Sequence, residues 1–178
     1  MKRFFQVLVL ALFTVTLLAG SGGKLVMAIE TEPVGLDPTL VTAFASHRVL
    51  ENVYDGLLRY DESMNLVPNL AESFEVVDPY TIVFKLRDGV KFHSGDLLTP
   101  EDVIFTFERI MNPDIKAPAA TYYKEVSSIK IVDDNKIEFK LTIPMAASLL
   151  PNFAGVNSSI LSKKLVESGA NLQLSTNG

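Results

Sequence analysis

"KFHSGDLLTPEDVIFTFERI", residues 91–110, sets one of the two histidines of the chain beside a serine, with an aspartate close behind. His93, Ser94 and Asp96 are the residue types of a catalytic constellation. They are also the residue types of a turn. Adjacent side chains in an extended segment point to opposite faces, so His93 cannot act as base toward Ser94, and catalytic triads converge from separate parts of a fold. Ser94, Gly95 and Asp96 instead suit a tight turn, in which short polar side chains bond to nearby backbone. A helix start comes directly after the turn. Thr99 is a good N-cap, Pro100 loses nothing at the first helical position, and Asp102 can complete a capping box. Glu101 and Asp102 also suit the positive end of the helix dipole. Val103, Ile104, Phe107, Ile110 and Met111 form one apolar stripe, and Asn112-Pro113 ends it.

A hairpin pattern lies on either side of this helix. In "SFEVVDPYTIVFKLR" the alternating set Ile82, Phe84 and Leu86 faces one way, and Asp78-Pro79-Tyr80 supplies the turn. In "SSIKIVDDNKIEFKLTI", Ile129 and Ile131 are set to pair with Ile137, Phe139, Leu141 and Ile143, while Lys130, Lys136, Glu138 and Lys140 point away. One-sided alternation describes antiparallel strands with one face on a core and one in water.

Toward the N-terminus, "KLVMAIE" reads as a short strand with Leu25, Met27 and Ile29 on one face, and "TEPVGLDP" breaks it through Pro33, Gly35 and Pro38. A helix is expected from Ser46 as its cap, with Leu50, Val53 and Tyr54 as its stripe and Gly56 as its stop. At the other end, "LSKKLVESGANLQLSTNG" reads as a short helix, a glycine stop and a polar stretch cut off inside a fold.

The chain has 178 residues, is 48% hydrophobic and carries a formal charge of -5, with Lys2 and Arg3 among its few cations. That is enough apolar material for a core, and too little basic surface for nucleic acid. "MKRFFQVLVLALFTVTLLAGSGG" has a basic pair, an apolar run of 12 residues from Val7 to Leu18, and small residues after it. A membrane-spanning helix needs about 20 apolar residues, so residues 1–21 read as a cleaved signal peptide. The chain has no cysteine and two histidines, which removes disulfides, thiolate metal sites and thiol nucleophiles, and with no H-x-x-x-H spacing counts against a zinc site. "LLAGS" is laid out like a lipoprotein signal with Ser21 where the lipidated cysteine would stand, which argues for a free extracytoplasmic protein. Asp61-Glu62 and Asp133-Asp134 fall at hairpin tips and are turn residues. Asn157 heads an "NSS" triplet, a weak glycosylation pattern. Tyr122-Tyr123 can stack on a ligand or pack inside; interior packing is the more frequent outcome.

Taken in order, "EPVGLDP", "VYDGLLRYDESMNLVPNLAESFEV" and "YTIVFKLRDGVKFHSGDLLTPEDVIFTFERI" strongly resemble the extracytoplasmic solute-binding proteins, family 5, of peptide and nickel ABC importers, from about Leu25 onward. The departures are small: Phe74 stands where the family often has Trp, and the "VVDPYTIVF" and "DESMN" turns lack its usual glycine. The resemblance implies an α/β fold of the periplasmic-binding-protein-like class II, with two lobes closing on a ligand and an extra domain inserted in the first. On that reading residues 22–54 begin lobe one, 55–161 are the inserted domain with its hairpins and helices, and 162–178 return toward lobe one. Only the start of lobe one and the inserted domain would then be present. The implied protein is not an enzyme and has no cofactor. It would bind di- or oligopeptides as a monomer and deliver them to a membrane permease. The same fold can carry nickel chelates, oligosaccharides or haem, because fold does not fix ligand. A secreted hydrolase is the competing class, and the lack of any converging nucleophile and base counts against it.

In peptide-binding members the segment after "LDP" lines the cleft and offers backbone hydrogen bonds to the ligand. Here this implies Thr42, Ala43, Phe44, Ala45 and Ser46 as ligand-binding residues, with Phe44 as an apolar wall. A plain connector between strand and helix is the alternative. For the signal peptide, mass spectrometry of the exported protein is expected to give a mature N-terminus close to Ser21; an exported chain that retains Met1 would contradict the assignment.

Overall fold

The computed structural model describes residues 26–173, and the signal-peptide and "STNG" assignments lie outside them. The chain divides into two compact units, residues 1–30 and 31–178. Of the first, only 26–30 are described. They form no strand, and Val26 and Met27 are exposed. The expected strand through Leu25, Met27 and Ile29 is therefore not formed over its described part. Its alternation is genuine, but a strand exists only through hydrogen bonds to a neighbour, and no strand pairs with this segment among the described residues.

In the second unit the first element is α1, Phe44–Leu50. A small antiparallel ribbon comes next, β1 (Leu58–Tyr60) with β2 (Leu66–Pro68). Asp61 shapes its turn by accepting from the Ser63 and Asn65 backbone N–H groups and from the Asn65 side chain, interactions that hold its carboxyl below the ordinary value, the Asn65 side chain most of all. Met64 sits there at φ 63°, where the glycine usual at such turns would be less strained.

The two expected hairpins form as β3 (Ala71–Asp78) with β4 (Thr81–Leu86), and β5 (Val126–Asp133) with β6 (Lys136–Leu141). They join through their second strands into one antiparallel sheet of order β3-β4-β6-β5. Ile82 lies opposite Phe139 and Phe84 opposite Ile137, so both apolar faces fall on the same side. Ile143 lies beyond the end of β6 and is exposed, so the pairing pattern stops at Leu141.

Helix α2, Pro100–Met111, covers that apolar face. Its start is built as its residues imply: the Asp102 carboxylate accepts from both the Thr99 backbone N–H and the Thr99 hydroxyl at 2.9 Å. Val103, Phe107 and Ile110 are wholly buried. Phe84, Phe107, Phe139 and Phe153 pack edge-on or tilted, with Phe107 5.0 Å from Phe139 and Phe84 4.7 Å from Phe153 between ring centres. Each such ring contributes roughly 1.5–3 kcal/mol through burial. Tyr123, at the end of the short helix α3 (Ala120–Tyr123), joins them and bonds to Ser158 Oγ at 2.8 Å. Burial pushes its phenol well above the ordinary value, an effect the Ser158 bond partly opposes. Tyr122, its neighbour, is exposed.

The chain then turns through α4 (Ala146–Leu149) and two 3-10 segments, Leu150–Ala154 and Val156–Ser158, to reach α5 (Lys163–Glu167). Gly169, at φ 84°, ends that helix as its place in the sequence implies. Gly56 does not end α1, which stops at Leu50. Close approach explains Gly56 instead: a Cβ there would sit 2.6 Å from the Phe153 carbonyl oxygen. Gly56→Ala is expected to cost about 1–3 kcal/mol in urea denaturation. Gly155→Ala, whose Cβ would meet Asn152 O at 3.4 Å, is the control and is expected to be nearly neutral. Equal stabilities for the two variants would contradict the close-approach explanation.

Candidate ligand-binding segment

Residues 34–43 have no regular secondary structure, yet side chains from three other elements hold them. Asp37 is buried and forms a two-pronged pair with Arg109 of α2, Oδ2 to Nη2 at 2.6 Å and Oδ1 to Nη1 at 3.2 Å. The same Oδ1 accepts the Thr39 N–H at 2.9 Å, which closes the local turn. Asn157 donates to the carbonyls of Pro38 and Val41, each at 2.8 Å. Its amide is thereby engaged in holding the loop, which makes the "NSS" triplet a structural feature. His47 Nε2 lies 3.2 Å from the same Val41 carbonyl.

Ser46 was expected to cap α1 and to meet ligand. It does not cap α1, because the helix begins three residues earlier than expected, at Phe44 with Ala43 as N-cap. Its side chain is fully buried, and Oγ accepts the Val34 N–H at 3.1 Å. A hydroxyl enclosed next to a loop amide gains more from that bond than from a cap position open to water. Thr42 and Phe44 are exposed, and Ala43 and Ala45 half-buried. Ala43 is extended, at φ -74° and ψ 131°. Among the described residues the Thr42 backbone N–H and carbonyl have no hydrogen-bond partner. Phe44 is 70% exposed, and the Arg48 guanidinium lies over its ring at 4.6 Å.

The structure thus sets four of the five proposed residues along one surface segment and turns Ser46 inward to anchor the loop. Reasoning from the sequence missed the scaffold of Asp37, Arg109, Asn157 and His47. Asp37 stands in a recognisable "LDP" turn, but no local pattern links it to an arginine 72 residues away.

His93, Ser94 and Asp96 form the turn expected of them. Gly95 adopts φ 88°, its N–H donates to Phe92 O, and Ser94 Oγ donates to Asp96 Oδ2 at 3.0 Å. Asp96 also takes Lys164 Nζ at 2.7 Å, and that bond, with help from Ser94, holds its carboxyl below the ordinary value. His93 is exposed and hydrogen-bonds to neither neighbour. Among the described residues no three His, Asp or Glu side chains gather where a metal ion would fit, and no helix is long and apolar enough to cross a membrane.

If the Asp37–Arg109 pair holds the loop, Arg109→Met is expected to cost about 3–5 kcal/mol, because a buried carboxylate loses its partner. Hydrogen exchange should then quicken at residues 34–43 more than within α2. The double variant Asp37→Asn with Arg109→Met should recover part of the loss. A cost below about 1 kcal/mol for Arg109→Met would refute the role.

Several known proteins are similar to this chain in sequence or in fold. The dipeptide-binding protein of Escherichia coli (strain K12) is 32% identical over 192 residues, which cover 94% of this chain and 36% of that protein. Among solved structures, the E. coli murein tripeptide binding protein MppA superposes with a TM-score of 0.74 at 23% identity, over 80% of this chain and 31% of its own. The binding protein AgaA of A. tumefaciens R10, in complex with agropinic acid, gives 0.73 at 30% identity, over 79% and 28%. The chain spans about a third or less of the length of the curated relatives it matches. The family described as "Bacterial extracellular solute-binding proteins, family 5 Middle" matches residues 65–177, more than half of the chain. The chain belongs to this family of solute-binding proteins, which is not a family of enzymes.

Proposed function

We propose that this protein is the substrate-binding component of an ABC importer, which captures di- or oligopeptides outside the cytoplasm and passes them to a membrane permease. The carrying observation is the extended surface stretch at Thr42 and Ala43. The free Thr42 N–H and carbonyl sit on a loop held by the Asp37–Arg109 pair. A backbone edge that is open and already ordered can pair with the main chain of an extended ligand and ignore the ligand's side chains. It also loses less entropy on binding than a mobile one. Sequence identity to a dipeptide-binding protein over 94% of the chain supports peptides as the ligand class.

On this reading residues 22–54 begin the first lobe, 55–161 form the inserted domain and 162–178 return toward the first lobe. Capture would proceed by hinge closure of two lobes on the ligand. Thr42, Ala43, Phe44 and Ala45 would face the ligand, with Phe44 as an apolar wall. Ser46 would act through the loop it anchors. Residues 1–21 would direct export and then be removed. A second reading keeps the site and changes the solute, and the similarity to the agropinic acid complex favours it.

Titrating the isotopically labelled protein with Ala-Ala tests the proposal. Amide shifts are expected at residues 42–46 with a Kd of about 1 mM, since one lobe provides part of the contact surface. Replacing Ala43 by Trp should abolish them without lowering the melting temperature. Peptide-induced shifts that spare residues 42–46 would overturn the site, and a response to agropinic acid with none to peptide would favour the second reading.

A further inference from the structure

Arg48 is distinguished by the aromatic ring it meets: like Arg59, Arg87, Lys91, Lys116 and Lys130 it stands outside the ion pairs of the described residues, but it alone among them lies over an aromatic face. Lys85, Arg109, Lys136, Lys140, Lys163 and Lys164 each lie within ion-pair distance of a carboxylate. Arg48 has no carboxylate partner among the described residues, and it is exposed. Its side chain meets the Phe44 ring instead, with 4.6 Å from the guanidinium carbon to the ring centre. The two residues are one helical turn apart on α1, so the helix itself sets their juxtaposition. Asn52 Nδ2 donates to the Arg48 backbone carbonyl at 2.7 Å, which steadies the turn carrying it.

Stacking on a ring engages the face of a guanidinium and leaves its N–H edge open. That edge matches a carboxylate, which it can hold through two parallel hydrogen bonds. Contact with an aromatic ring also removes rotamer freedom before any ligand arrives, so less is lost on binding. The charge lies four residues beyond Phe44 and rests on its ring, and Phe44 directly follows the Thr42–Ala43 stretch in the chain.

We propose that Arg48, held over Phe44, is a specificity-determining residue that selects ligands carrying a carboxylate. This deepens the peptide-binding reading of Thr42–Ala45 and rests on it. Backbone pairing treats all peptides alike, and Arg48 adds discrimination by charge. The carboxylate is either an acidic side chain or the C-terminus of the ligand, and both present the same planar anion. Added salt should weaken the preference, because the pair is exposed to solvent.

Three peptides separate the possibilities in amide-shift titrations of the wild-type protein: Ala-Glu, Ala-Gln and C-terminally amidated Ala-Gln. Ala-Glu against Ala-Gln isolates the side-chain carboxylate, and Ala-Gln against its amide isolates the terminal one. One of these comparisons is expected to show a preference of about three- to tenfold for the carboxylate. Arg48→Gln should equalise that pair, and Phe44→Leu should reduce the preference partway by freeing the guanidinium. Arg48→Lys should retain less of it than wild type, since an ammonium lacks the planar fork. Equal affinities for both pairs in wild type, or a preference that survives Arg48→Gln, would overturn the role of Arg48 while leaving peptide binding intact. If none of the three peptides shifts residues 42–46, the peptide reading fails and this inference fails with it.

Discussion

The buried pair between Asp37 and Arg109 is the contact on which the placement of the candidate site depends. It ties an irregular loop to the C-terminal turn of α2, and no strand or helix could do this, because residues 34–43 form neither. Two-pronged geometry gives the pair direction as well as strength. Through it the position of Thr42 and Ala43 is referred to the hydrophobic core, although neither residue belongs to that core. Ser46, Asn157 and His47 restrain the loop at further points along it.

Helix α2 serves as a strut with a different task at each level. Near its N-terminus, Asp102 accepts from Thr99 with one oxygen and from the Lys163 N–H, at 2.8 Å, with the other. One turn on, Thr106 Oγ1 donates to Asp102 O and accepts the Leu161 N–H at 3.0 Å. The cap that starts the helix is thus also the clasp that holds the returning chain. Phe107 faces the sheet, and Arg109 holds the loop. The polar contacts are enclosed and satisfied, so they specify how these segments meet while the rings provide most of the burial.

Solute carriers of this family need a surface that meets ligand without doing chemistry on it, and the described residues suit that task. The one sequence stretch that looked chemical, at His93-Ser94-Asp96, spends its polar atoms on its own turn and on Lys164. Among the described residues, Thr42 leaves its backbone open on an ordered loop, and Arg48 is a cation that rests on an aromatic face. Both are suited to reversible recognition.

Local signals in the sequence sufficed for whatever is decided within a few residues. The α2 cap, its apolar stripe, both hairpins, the His93–Asp96 turn and the Gly169 stop all depend on neighbouring residues, and the structure contains each of them. The candidate ligand-binding stretch Thr42–Ala45 rests on family resemblance alone, since no local residue pattern marks it. Tertiary structure decided the rest. Ser46 became an anchor because Val34 lies against it, and Gly56 is required by the Phe153 carbonyl rather than by a helix end. The strand expected through Met27 does not form over its described residues, 26–30, because alternation supplies a face but not a partner. Asp37 found Arg109 across 72 residues, and the hairpins joined through β4 and β6, because burying one shared apolar face and pairing one buried charge are properties of the whole packed chain.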